Sequence, residues 1–125
     1  TITAGYASDD ASDTGGTTTG VELSMALGGG TLNLGTFDTN KNASVADLKG
    51  YGATYATTMG SASVSVGYRN REDTTNKNTS TVTSASVSQS IGSGASIFLD
   101  VVNYSGFATA ADTGSNLAIG TTFSF

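Results

Sequence analysis

Cysteine, histidine, proline and tryptophan are all absent from this 125-residue chain. Without cysteine there is no disulfide framework and no thiolate metal site, and the redox compartment is not readable. Without His or Cys, the usual general bases, nucleophiles and metal ligands are missing. No enzymatic activity and no cofactor are therefore expected. Charge is also sparse. Five Lys and Arg stand against ten Asp and Glu, for a net charge of −5, and phosphate binding needs clustered cations, so nucleic acid is not an expected partner. No apolar run approaches the roughly 20 residues of a membrane-spanning helix. That does not exclude a membrane, because a β-barrel crosses it with a much weaker signal.

What is abundant is Gly, at 17 residues, together with Ser and Thr, within a hydrophobic fraction of 37%. Regular Val, Ile and Thr argue against disorder. One domain spanning residues 1–125 is expected at this length. The chain opens TITAGYASDD without Met, and reads as processed or as a piece of something longer. The final stretch, NLAIGTTFSF, alternates: Leu117, Ile119, Thr121, Phe123 and Phe125 share one face, and Asn116, Ala118, Gly120, Thr122 and Ser124 the other. That is the period of a β-strand.

The same alternation recurs in segment after segment. Ile2, Ala4 and Tyr6 are followed by Val21, Leu23, Met25 and Leu27, then by a short third segment with Leu32 and Leu34. Tyr51 to Met59, Ala62 to Tyr68, Thr83 to Ile91 and Ala95 to Val101 continue the pattern, and the terminal stretch makes eight segments. Connections alternate as well. Tight glycine-marked links (LGGGT, MGS, IGSGA) take turns with long polar ones (SDDASDTGG, FDTNKNASVAD, NREDTTNKNT, SGFATAADTGS). GGG and GSG lack any nucleotide-binding context and read as turns. The pattern predicts an all-β, antiparallel up-and-down meander with tight turns at one end and long loops at the other. Every segment is used in that meander, so no second layer remains to cover an apolar face. A transmembrane β-barrel, apolar outside and small and polar inside, satisfies every backbone group.

With these residues in view, the chain resembles bacterial outer-membrane β-barrels, and in particular the C-terminal part of Gram-negative general porins. The alternating Leu117, Ile119, Thr121, Phe123 and terminal Phe125 carry the resemblance most specifically. It implies tight turns on the periplasmic side, long loops outside, and a final strand read by the barrel-assembly machinery. It further implies a homotrimer in the outer membrane, in contact with lipid and lipopolysaccharide. The expected function is passive diffusion of small hydrophilic solutes and ions. The alternative is a self-closed eight-strand structural or adhesive barrel whose outer loops bind a partner. Small inward residues favour the first, as eight strands of a roughly 16-strand wall, because a narrow lumen lined by Ser and Gly would hold voids.

Candidate lipid-facing residues are Leu23, Tyr51, Val64, Val66, Tyr68, Ile97, Leu99, Ile119, Phe123 and Phe125. Candidate pore-lining residues are Ser63, Ser65, Ser86 and Thr122, with Glu22, Arg69 and Asp100 as the charges that would set the lumen's field. Asp9, Asp10 and Asp13 offer carboxylates of the kind Ca²⁺ favours, but without EF-hand spacing they read as solvated loop acids, and no metal is assigned. Lys41, Arg71 and Lys77 fall in outer loops, within reach of anionic lipopolysaccharide. Three features fit poorly. Phe98 and Val102 face inward, Tyr104 does so unless a bulge near Val102 and Asn103 turns it outward, and Lys49 faces lipid unless it snorkels.

Overall fold

The computed structural model describes residues 2–11, 16–40, 47–92, 94–106 and 112–123, with side chains from residue 18 onward. Eight strands run in chain order: β1 (Ile2–Ala11), β2 (Gly16–Leu27), β3 (Gly30–Asn40), β4 (Leu48–Met59), β5 (Ala62–Asp73), β6 (Asn78–Gly92), β7 (Ala95–Ser105) and β8 (Thr113–Phe123). They form one antiparallel up-and-down sheet in which each strand pairs with its neighbour in sequence. Two-residue links join β2 to β3, β4 to β5 and β6 to β7, and they alternate with links of four or seven residues. At the first tight turn Gly28 and Gly29 have φ of 56° and 82°. Positive φ at both central positions suits the right-handed twist of a two-residue hairpin, and glycine adopts it without a Cβ clash.

The register merges the alternation of single strands into two continuous faces. Val64, Val87, Leu99 and Ile119 oppose one another in turn across β5 to β8, while Ser65, Ser86, Asp100 and Ala118 form the next row on the other face. Directly opposed residues share a face, so one apolar stripe per strand becomes an apolar sheet surface. The register shifts between Ser90 and Gly92, beside the β6–β7 turn. Tyr55, on the apolar face, lies over Gly30 and its hydroxyl donates to the Leu27 carbonyl at 3.1 Å. Removing that hydroxyl in Tyr55→Phe should cost about 0.5–1.5 kcal/mol in denaturant unfolding.

Several strands run further than the apolar pattern does. β3 continues past Leu34 to Asn40, so it is not short, and Phe37, Asp38, Arg71, Glu72 and Asp73 belong to strands rather than loops. Asp9 and Asp10 likewise pair within β1, opposite Thr18 and Thr17. Beyond the apolar band the strands keep their ladder hydrogen bonds with polar side chains, and alternating hydrophobicity cannot report that.

None of the apolar side chains among the described residues is buried. The exposed surface is 8336 Å², whereas a compact monomer of 12.4 kDa is expected to expose about 6100 Å². The excess of roughly a third is that of a single layer with no second sheet or helix against it. The sheet is also open: among the described residues no pairing joins β1 to β8. The sheet is therefore not closed as a barrel, and the alternative of a self-closed eight-strand cylinder is not met among the described residues.

Candidate functional site

The two faces differ in shape as well as chemistry. Two troughs, of about 770 and 690 Å³, are lined mainly by side chains of the polar face: Glu22, Asn33, Thr54, Arg69 and Ser84 in the first, and Thr31, Thr58, Ser63, Ser65, Ser86 and Ser88 in the second. The sheet thus curls towards its polar side. Val21, Tyr51, Val66, Tyr68, Val87, Ile97, Leu99, Leu117, Ile119 and Phe123 all stand exposed on the opposite face, Ile119 at 75% and Phe123 at 63%. Leu23 and Val64 share that face and are half-buried by neighbours. Tyr51 and Tyr68 contact each other there, with ring centroids 6.1 Å apart. Phe125 lies outside the described residues.

The pore-lining set falls on the concave face by register. Ser65 and Ser86 share a hydrogen bond of 2.8 Å, and Thr122 shares one of 2.6 Å with Ser96. The three charges do not converge. Glu22 and Arg69 line the first trough and lie in one transverse row, Glu22–Gly35–Gly52–Arg69, across β2 to β5. Asp100 stands elsewhere, opposite Ser86 and Ala118. From Arg69 it is two strands over and four residues along, which is on the order of 17 Å. Arg71 sits two residues beyond Arg69 on the same face of β5, opposite Gly50 and Ser80. It belongs to the concave surface rather than to an outer loop.

The inward aromatics rest on glycines. A Cβ built at Gly120 would meet the Phe98 ring at 2.6 Å, one at Gly50 would meet the Phe37 ring at 2.6 Å, and one at Gly114 would meet Tyr104. Each ring opposes its glycine directly across the ladder. Lying flat there, it shields backbone that a bare glycine leaves open, the cross-strand device known as aromatic rescue. No bulge interrupts β7 near Val102 and Asn103. Tyr104 stays on the concave face because Gly114 gives it a seat. Apolar inward residues opposite glycines one strand away were the available signal, but only the register pairs them.

At the long-loop end, Lys49 projects from the apolar face and meets its direct cross-strand partner Glu72 at 3.4 Å. Both are well exposed, so the pair contributes little to stability. It does neutralise a cation on an otherwise apolar surface. The 74–77 turn is tied down more firmly. Asp73 accepts from the Thr75 and Asn76 amides at 3.0 and 2.9 Å and from the Asn76 side chain at 2.8 Å, and Thr74 N–H donates to the Asp47 carbonyl at 2.9 Å. Lys77 ends that turn with φ of 57°. Asp13 and Lys41 lie outside the described residues. Among the described residues no group of three or more acidic side chains is placed to hold a metal ion. No protein-family model matches this chain, and neither the curated proteins nor the solved structures include a match.

Proposed function

We propose that this sheet is part of the wall of a bacterial outer-membrane porin, a transmembrane β-barrel through which small hydrophilic solutes and ions diffuse passively. One observation carries the reading. A single-layer sheet exposes its large apolar side chains on the convex side and small polar ones on the concave side. In water that arrangement leaves a contiguous apolar surface without cover. Against lipid, the same surface is the solvent-facing one, and the Ser, Thr and Gly side chains need only a hydrated lumen. The open edges at β1 and β8 suit strands that continue into a larger barrel, since closure alone removes unpaired ladder groups.

In this reading Glu22, Arg69, Arg71 and Asp100 are lumen charges. The exposed tyrosines Tyr51 and Tyr68 sit at the outer interface, and Met59 and Phe123 at the tight-turn interface. Lipid and lipopolysaccharide are the surrounding partners, the barrel-assembly machinery acts on the C-terminal strand, and the family's homotrimer is the assembly. The protein works as a passive conduit and not as an enzyme.

The test is electrical. A protein carrying this wall should give discrete ion-conducting steps in a planar bilayer, and Thr122→Arg should alter their amplitude. It loses one hydrogen bond, at about 1 kcal/mol, yet a wide wet lumen accommodates the longer side chain. A monodisperse, folded chain in detergent-free buffer, with no conductance after reconstitution, would sink the proposal.

A further inference from the structure

Glu22 and Arg69 share a trough, both are exposed, and neither has a hydrogen-bond or ion-pair partner among the described residues. Three strand-to-strand steps separate their backbones, about 14 Å along the sheet. No ion pair joins the two side chains across that spacing. Between them the floor is Gly35 and Gly52.

Glycine at position 35 is not forced by its surroundings. A Cβ there would meet nothing closer than the Val21 carbonyl oxygen at 3.8 Å, ordinary contact, and the residue is not among those with positive φ. Its effect is to leave the floor bare between an anion and a cation. Asn33 and Thr54 border the gap in the next row, with a 3.4 Å hydrogen bond between them.

We infer that the glycine-floored gap between Glu22 and Arg69 is a subsite for a small zwitterion, with its ammonium towards Glu22 and its carboxylate towards Arg69. The guanidinium fork matches a carboxylate in two parallel hydrogen bonds, and a carboxylate accepts from ammonium with charge assistance. A solute carrying both charges engages both side chains at once. A neutral solute of the same size forms an ion pair with neither. The inference names a solute class for the channel wall and rests on that reading.

The experiment is an amide-resolved NMR titration of the isotope-labelled protein in detergent micelles, with glycylglycine as the probe and uncharged N-acetylglycinamide as its control. Glycylglycine should shift the amides of Glu22, Gly35, Gly52 and Arg69 saturably, and the control should not. Glu22→Gln and Arg69→Gln should each weaken the titration about tenfold. Gly35→Leu, whose added Cβ meets nothing closer than the Val21 carbonyl oxygen at 3.8 Å, should abolish it while the remaining spectrum reports an intact fold. Equal shifts with the control, or titrations unchanged in both charge variants, overturn the subsite. A protein that conducts in a bilayer and fails this titration loses the subsite and keeps the channel wall. One that neither inserts nor conducts loses the parent reading.

Discussion

Ile119→Arg should destabilise the sheet in lipid vesicles by about 2–4 kcal/mol if residue 119 lies near mid-bilayer, read as a lower urea midpoint by far-UV circular dichroism. Ile119 is 75% exposed in the middle of β8. On a protein facing water, a charge at such a site is usually worth within about 0.5 kcal/mol either way. The sign and size of the effect therefore report which solvent the convex face meets. Ala118→Arg, one residue away and on the concave face, serves as the internal control and should change the midpoint far less. Equal small effects at both positions would mean that neither face meets hydrocarbon.

Gly120→Ala carries the second large effect, about 1–3 kcal/mol of destabilisation, because the added methyl group falls 2.6 Å from two atoms of the Phe98 ring. The ring has to lift off the sheet to admit it. In a Phe98→Ala background nothing remains to collide with, so the same substitution should be close to neutral. The double-mutant cycle then isolates a coupling within the 0.5–3 kcal/mol range expected for residues in contact. Additive single effects would show that the ring and the glycine do not depend on each other. The same logic extends to Phe37 on Gly50, although there the Asn70 carbonyl oxygen at 2.5 Å also crowds the added carbon. Removing the ring would relieve only part of that cost.

The two faces were legible from the chain alone. Alternation is a property of each strand by itself, and Val64, Val66 and Tyr68 against Ser63, Ser65 and Gly67 needs no partner to declare itself. The positions of the tight turns were equally local, since Gly28 and Gly29 mark a backbone that other residues rarely adopt. Strand extents were less accessible. Asp38, Glu72 and Asp73 look like loop residues until the ladder is seen to continue through them. Their side chains sit beyond the apolar band, where alternating hydrophobicity no longer marks the strand.

Composition and periodicity by themselves determined the class of this protein: an antiparallel meander with one apolar and one small polar face, and no cysteine to supply a thiolate. Only the tertiary structure decided that the sheet curls towards its polar side and stays open. It also decided that Glu22 faces Arg69 across two glycines while Asp100 stands apart, and that Phe98, Tyr104 and Phe37 each lie on a glycine one strand away. The reason is register. Which residues meet across strands depends on where every turn closes, and a single residue of slip in one hairpin would exchange the faces beyond it and dissolve the pairings that cross it.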